Sequence, residues 1–391
     1  MSNFYLVLLL EMGVTAGVLL GGVAVRHLQH TRTPERAEIA KSQPSSIPSR
    51  SFLRALLGSL WLLDGLLQAQ PSMPGSFANR ILAPIATGTP SWLAAVIHWE
   101  IGIWQAHPVH LAVATVLIQA GIGVSILAGG DTRLGRWGLW ASVIWGALVW
   151  VLGEALGGLL APGASLIAGA PGSVLAYVAA AGLLLAPAEI WRSGRVVRLI
   201  ELGIGATFLL GVLLQTIPEE GFWSSAGIGG LFAAMARAPQ PGALSEPIRA
   251  FASLVAADPL LWNALLTSTM VVIGVAYCLG GGGRALAVAT VVWLAFAWWF
   301  GQDFGAPGTG VTTDPNLAPL LVALLLTAEA PSGWVTGWAD RLQIASRQQL
   351  LRGLAVAGLA AVLVGVVGGL PYLAQATMGN SSGVHVSASL N

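Results

Sequence analysis

The stretch at residues 136–171 recurs later in the same chain, in the same order and spacing. Arg136 matches Arg284, an offset of 148 residues, and six further residues repeat at this offset with one Glu-to-Gln exchange. The residues of the first stretch are Arg136, Trp145, Trp150, Gly153, Glu154, Gly157 and Pro171. Their counterparts are Arg284, Trp293, Trp298, Gly301, Gln302, Gly305 and Pro319. The pattern predicts a tandem duplication of about 130 residues.

Composition places this duplicated chain in a membrane. Hydrophobic residues make up 55% and charged residues only 9%, and the mean hydropathy is +0.76, which excludes an ordinary soluble domain. Fifty glycines and sixteen tryptophans are typical of helices that pack closely and place Trp at membrane interfaces. The single cysteine, Cys278, excludes an internal disulfide framework.

The apolar runs predict an all-α polytopic membrane protein of about ten helices, arranged as two tandem parallel four-helix repeats. We expect a transmembrane anchor at 1–25, a cytoplasmic Pro/Ser-rich linker at 26–51, a first repeat at 52–191 and a second at 192–330. Residues 331–391 would form a cytoplasmic loop, the last membrane helix and an external tail. The predicted repeat spans are 52–70, 108–127, 137–156, 172–191, 199–217, 259–279, 285–304 and 315–327. The segments 71–107 and 222–257 should lie at the membrane interface.

The basic residues predict the orientation of the chain. With the N-terminus outside, fifteen of the eighteen Lys and Arg residues fall in inner loops, and only Arg80, Arg237 and Arg249 lie outside. The positive-inside bias therefore predicts that both termini are extracytoplasmic.

Intramembrane carboxylates are the strongest site candidates, because ionisable residues at membrane depth are costly. Asp64 and Gln68 share a helix face through their i, i+4 spacing, and Glu154 lies between Gly153 and Gly157. We predict Glu154 and Asp64 as catalytic residues in proton exchange. Structural alternatives stay open: interhelical hydrogen bonds for Asp64, and an ion pair with Arg80 for Glu154. Substrate or quinone contacts are predicted for Gln68, Trp150, Gly153, Gly157 and Gln302.

Three histidines form a weaker candidate for a metal or haem site. His98, His107 and His110 lie close in sequence near Glu100, and imidazole binds metals and relays protons. Their spacing matches no compact metal motif, so solvated side chains at a helix start are the competing interpretation.

The segment SFLRALLGSLWLLDGLLQAQP, at 51–71, resembles the opening helix of DoxX/DoxD-like bacterial membrane proteins. This resemblance covers one unit, about residues 50–190, and implies a four-helix membrane fold with a link to quinone reduction in respiratory or sulfur-linked electron transfer. Quinone would then be the expected ligand, and other membrane or extracytoplasmic subunits the expected partners. A small-molecule or ion transporter and a non-catalytic assembly or anchoring protein remain alternatives.

The two copies are not expected to be equivalent. The first copy carries Asp64 where the second, 147 residues later, carries Gly211. It carries Glu154 where the second, 148 residues later, carries Gln302. An amide cannot exchange a proton as a carboxyl can. Any proton-coupled site is therefore predicted to belong to the first copy.

Overall fold

A computed structural model describes residues 48–306 and 309–329 of the chain, and these residues form helices and turns without a β-strand. The anchor helix at 1–25, most of the linker and the predicted last helix lie outside the described residues. The longer helices of a first set are α1 (Pro48–Gln68), α2 (Met73–Ala86), α3 (Ser91–Ala106), α4 (Pro108–Gly129), α5 (Arg133–Leu152) and α6 (Val174–Leu185). A short helix, α7 (Ala188–Arg192), leads to a second set. That set comprises α8 (Arg195–Thr216), α9 (Ser225–Ala236), α10 (Gly242–Ala257), α11 (Pro259–Cys278), α12 (Arg284–Phe300) and α13 (Leu317–Glu329).

Four of the described helices are long and apolar enough to cross a membrane: α4, α5, α8 and α11. A fifth span is added if α1 and α2, which meet at a bend of 82°, count as one broken span. Large apolar side chains are exposed on these helices, among them Ile144, Leu148, Leu261 and Val272. Such continuous apolar surface suits contact with lipid.

Several predicted boundaries differ from the structure. The helix predicted to start at 52 begins at Pro48, inside the predicted linker. The span predicted at 172–191 is the 12-residue α6 followed by the separate α7. Pro187 explains the break, since proline cannot donate the backbone hydrogen bond that a continuous helix requires.

Helix order and length recur between the two sets. Helices α3 and α10 each have 16 residues, and α4 and α11 have 22 and 20. Glycines bring α1 against α4 in the first set: a Cβ built on Gly123 would lie 2.7 Å from Gly58 O. In the second set Gly274 and Gly205 hold α11 against α8 in the same way, with a corresponding distance of 3.1 Å. Small residues at these positions allow the backbones to approach closely.

Two loops connect the sets by reaching across to the opposite one. The first loop, residues 153–173, lies on the second set, where Ser165 Oγ donates to Gln215 Oε1 at 2.8 Å. The second loop, residues 301–316, lies on the first set, where Gln70 Nε2 donates to Thr312 O at 2.9 Å. Each loop therefore supplies side chains to helices of the other set.

Each loop starts with a turn of left-handed backbone. Residues 155–158 and residues 303–306 all have positive φ angles, including the non-glycine residues Ala155 and Phe304. This conformation is costly for L-residues, and it ends α5 and α12 four residues before the predicted span limits of 156 and 304. At each of these two turns the backbone leaves its helix and runs towards the opposite set.

Candidate ligand-binding site

A cavity of about 290 Å³ lies inside the first set. All six longer helices of the first set, α1 to α6, wall it together with the start and end of the first loop and with the second loop, which contributes Thr313 and Asp314. A single water needs roughly 10–15 Å³ in the same measure, so the space accommodates a small organic group. We call it the carboxyl cavity.

The inner end of the carboxyl cavity is polar and deeply buried. Asp64 is 2% exposed and Gln68 is 4% exposed on α1, and Gln119 on α4 is likewise buried. Tyr177 on α6 stacks its ring at 4.7 Å from that of Trp61. Its hydroxyl lies close enough to the Asp64 carboxyl for the two side chains to interact, but their geometry is not that of a regular hydrogen bond. The expected shared face of Asp64 and Gln68 therefore points into the cavity.

Glu154 reaches the same cavity from the start of the first loop. Its Oε1 accepts hydrogen bonds from Ser173 Oγ at 2.6 Å, Ser173 N at 3.1 Å and Val174 N at 3.3 Å. The carboxylate thus caps the N-terminus of α6, where the helix dipole favours negative charge. Its Oε2 is buried and has no partner in the protein. The partners predicted from the sequence did not include Ser173 or Val174, and the suggested pairing with Arg80 is wrong.

Acidic groups alone supply the formal charge of this cavity. Asp64, Glu100, Glu154 and Asp314 line it, and its lining contains no Arg, Lys or His. Burial, together with the negative charge of Asp314, raises the pKa of Glu154 to about 8, against the opposing effect of the bonds from Ser173 and Val174. Burial also raises the pKa of Glu100. At neutral pH the Glu154 carboxyl is therefore poised to hold or release a proton.

Unpartnered polar atoms concentrate in the carboxyl cavity. Among the described residues, thirteen buried side-chain nitrogen or oxygen atoms lack a hydrogen-bond partner, and seven of them belong to residues that line this cavity. Buried polar groups are almost always hydrogen-bonded, so such a cluster points to a ligand or water that completes it. The seven atoms are Asp64 Oδ1, Gln68 Oε1, Glu100 Oε2, Gln119 Oε1, Trp145 Nε1, Glu154 Oε2 and Tyr177 OH.

The outer end of the cavity is apolar and lies at the protein surface. Trp99 on α3 is 64% exposed and Leu148 on α5 is 48% exposed, and both line the cavity. Leu152 and Ile103 lie beside them. Because α5 is one of the helices able to span a membrane, a ligand would meet this apolar end from the lipid side.

The second set fills the corresponding space with aromatic rings. Helices α3 and α10, and likewise α4 and α11, start 151 residues apart, which pairs Glu100 with Phe251 and Leu111 with Trp262. The offset of 148 residues pairs Leu148 with Phe296 and Leu152 with Phe300. The ring of Phe251 lies 5.3 Å from Trp262, 5.5 Å from Phe296 and 5.4 Å from Phe300.

One polar group of the second set is satisfied where its counterpart in the first is not, although Trp293 Nε1, like its counterpart Trp145 Nε1, has no hydrogen-bond partner. Gln215, the counterpart of Gln68 at an offset of 147 residues, accepts a hydrogen bond from Ser165 and donates one to Asn263 Oδ1 at 3.0 Å. Leu166 of the first loop packs on Gly211, which stands where the first set has Asp64. The two sets thus differ most at the carboxyl cavity.

The remaining sequence candidates hold the site in place. Trp150 does not line the cavity; its Nε1 donates to Pro171 O at 2.9 Å. Trp298 donates in the same way to Pro315 O at 2.8 Å. Pro315, and not Pro319, is therefore the structural counterpart of Pro171, because the second loop is shorter than the first.

The glycine and glutamine candidates divide between the two sets. Gly153 lines the cavity, whereas Gly157 has a φ of +65° and lies directly against the Pro171 carbonyl, where a side chain would clash. Gln302 belongs to the second set, where its Nε2 donates to Leu166 O at 3.4 Å. Its amide lies between the two loops and away from the cavity.

The histidine cluster is not assembled into a metal site. The rings of His107 and His110 lie 6.4 Å apart, and His98, His107 and His110 are all absent from the cavity lining. Within the part of the chain that the structure describes, no group of three or more His, Cys, Asp or Glu side chains could hold a metal ion.

Sequence reasoning missed several residues that line the cavity. Tyr177 and Gln119 lie in apolar runs, and Asp314 lies in a loop of the other set. Polar residues inside otherwise apolar helices were an available indication for the first two. No local pattern connects Asp314 with Asp64, 250 positions away in the printed sequence.

Comparisons of this chain with protein-family models, with curated proteins and with solved structures found no match.

Proposed function

We propose that this chain is an integral protein of a bacterial cytoplasmic membrane that binds a quinone in the carboxyl cavity. One observation carries the proposal: seven unpartnered polar atoms gather at a cavity whose other end is apolar and exposed at the protein surface. A quinone has the matching chemistry, with hydrogen-bonding oxygens on its ring and an apolar tail. The resemblance of residues 51–71 to DoxX/DoxD-like proteins points to the same ligand class.

The protein's own residues would bind the headgroup and handle its protons. Tyr177 OH and Trp145 Nε1 are donors that could reach a ring oxygen, and Glu154 can exchange a proton there near neutral pH. Asp64 lies further inside and could take the second proton. The quinone would supply the redox chemistry, and the resemblance implies a separate electron donor.

The finer architecture belongs to the same proposal. We infer that the two sets are diverged copies in parallel orientation, with both chain termini outside the cell. Supporting observations are the paired helix lengths, the paired Trp150 and Trp298 hydrogen bonds and the distribution of basic residues. In this arrangement the first copy holds the ligand and the second provides the loop that completes its wall.

A binding measurement tests the proposal. The purified full-length protein in lipid nanodiscs should bind decylubiquinone saturably, and a lipid extract of the purified protein should contain native quinone. The double variant Leu148→Phe/Leu152→Phe should lose the binding, because it places in the first set the rings that occupy the second. Unsaturable uptake that matches empty nanodiscs would contradict the proposal.

A proton-coupled transporter of lipophilic cations is the second candidate function. It is favoured by the four carboxyl groups in a cavity whose lining has no basic side chain. Tetraphenylphosphonium serves as the probe in the same nanodisc assay. Saturable binding of this cation, with none of decylubiquinone, would favour transport over quinone chemistry.

A further inference from the structure

A second cavity, of about 260 Å³, lies at the opposite end of the first set. Arg50 and Arg54 approach it from the start of α1, Asp131 from the turn between α4 and α5, and Arg136 from the first turn of α5. The end of α6 closes it with the residues from Leu184 through Ala188. Glu154 follows the far end of α5, so this basic cavity is separate from the carboxyl cavity.

Positive charge exceeds negative charge in the basic cavity. Asp131 is the acidic residue of its lining, and it pairs with Arg54 NH2 at 2.5 Å and Arg50 NH1 at 3.1 Å. Its own side chain is 66% exposed. The Nε atoms of Arg50 and Arg54 are buried and have no hydrogen-bond partner. Arg50 NH2 also donates to Leu184 O at 3.1 Å. The remaining nitrogens of Arg50, Arg54 and Arg136 leave donors for a further anion.

The surroundings of the basic cavity suit a group at a membrane surface. Its wall includes the apolar side chains of Leu139, Leu184 and Pro187. On the same end of α5, Trp137 is 71% exposed and Trp140 is 50% exposed. Exposed tryptophans are enriched where headgroups meet acyl chains, and basic pockets between membrane helices bind anionic lipid headgroups.

The second set does not have this arrangement. At the offset of 147 residues that relates Gln68 on α1 to Gln215 on α8, Arg50 and Arg54 correspond to Val197 and Glu201. The nearby Arg198 is occupied within the protein, since it pairs with Glu201 at 3.3 Å and donates to Tyr277 O at 2.6 Å and Cys278 O at 2.5 Å. The excess of basic groups in the first set is therefore not a requirement of the helical packing.

We propose that the basic cavity binds a phosphate group, carried either by an anionic phospholipid or by a free phosphate ester. The guanidinium groups of Arg50, Arg54 and Arg136 would hold its oxygens, since planar guanidinium matches phosphate geometry. An attached acyl chain would lie along Leu139 and the exposed face of α5. This site is independent of the quinone proposal.

Thermal unfolding with added ligands tests this inference. The full-length protein, stripped of lipid in detergent, should gain at least 3 °C in Tm with phosphatidylglycerol and less than 1 °C with phosphatidylcholine. Glycerol 3-phosphate and inorganic phosphate form the other arm. A gain with these soluble anions that equals the gain with phosphatidylglycerol would assign the site to a free phosphate source. No gain with any phosphate-bearing anion would overturn the proposal.

Matched variants locate the effect. Arg136→Gln should reduce the response to the anion at least fivefold, whereas Arg133→Gln, on the same exposed turn of α5 but outside the cavity lining, should preserve it. Asp131→Asn removes the competing carboxylate and should tighten binding at least threefold. Equal responses of Arg136→Gln and Arg133→Gln, or weaker binding by Asp131→Asn, would overturn the assignment.

Discussion

Glu154 and Gln302 occupy the same position relative to the helix that follows each of them. Glu154 Oε1 accepts from Val174 N at 3.3 Å at the start of α6, and Gln302 Oε1 accepts from Ala318 N at 3.1 Å at the start of α13. Both oxygens cap a helix N-terminus. The second side-chain atoms differ: Glu154 Oε2 faces a cavity without a partner, whereas Gln302 Nε2 donates to Leu166 O. In the second set the Gln302 side chain is fully used in packing. In the first set Glu154 makes the same helix cap and keeps one carboxyl oxygen available to a ligand.

This difference makes the exchange of the two residues informative. Glu154→Gln keeps the Oε1 acceptor and so should keep the fold, but it loses the exchangeable proton. We expect decylubiquinone binding to weaken tenfold or more, about 1.4 kcal/mol. Gln302→Glu should leave this binding within twofold, although a carboxylate facing the Leu166 carbonyl should lower the yield of folded protein. Equal, mild effects of the two exchanges on binding would mean that Glu154 is structural.

Stability should depend on pH through Glu154. Its pKa rises from 4.5 to about 8 in the folded protein, so between these values the folded state holds a proton that the unfolded state has released. The group therefore stabilises the protein at low pH, and this contribution is lost as pH rises to about 8. The slope amounts to at most about 1.4 kcal/mol per pH unit. We expect the Tm of the wild type to fall from pH 5 to pH 8 relative to Glu154→Gln.

The difference in Tm between the wild type and Glu154→Gln reports on Glu154 alone, because all other titrating groups are present in both proteins. Above pH 8 the difference in Tm should become constant, because Glu154 is then ionised in both states. A difference that is flat from pH 5 to pH 8, or that rises, would show that the carboxyl is not protonated in the folded protein.

Asp314, on the second loop, should affect the pKa of Glu154 and with it the pH dependence of stability. Its charge raises the pKa of Glu154, while its Oδ1 accepts from Asn316 N at 2.7 Å, a bond that asparagine can retain. Asp314→Asn should therefore lower the upper limit of the pH window in the Tm profile. Asp258→Asn is the control, because that side chain caps α11 through Leu261 N and does not line the cavity. If the upper limit of the pH window were unchanged in Asp314→Asn, the charge of the second loop would not influence Glu154.

Sequence patterns predicted the helical membrane class and the shared face of Asp64 and Gln68, since both follow from local composition and helical spacing. They did not predict the left-handed turns after α5 and α12. The turn after α5 depends on a close approach between Gly157 and Pro171, and the turn after α12 on one between Gly305 and Asp314, which only the folded chain shows. The crossing of the loops, and with it the place of Asp314, depends on contacts between the two sets. Short helices such as α6 were predicted too long because apolar loop residues look like helix.

The predicted orientation is testable by labelling in cells. In a Cys278→Ala background, Thr87→Cys should react with a membrane-impermeant maleimide added outside, because residues 71–107 are predicted to face outwards. Ala40→Cys should react only after the membrane is opened, because the six basic residues at 26–54 favour the cytoplasm. External labelling at position 40 would reverse the orientation and place the basic cavity on the outer side.

The last prediction concerns the aromatic cluster that stands in the second set where the first set has the carboxyl cavity. Leu148 and Leu152 line it where the second set has Phe296 and Phe300, whose rings stack at 4.9 Å. Leu148→Phe/Leu152→Phe should fill the cavity, abolish decylubiquinone binding and leave the Tm unchanged or higher, since filled space gains dispersion contacts. Phe300→Leu should instead open a void in the aromatic cluster and cost about 1–3 kcal/mol of unfolding free energy, without changing binding. Denaturant unfolding and the binding assay, both applied to each variant, show whether the substitutions in the two sets have these different effects. Retained binding in the filled variant would place the ligand elsewhere.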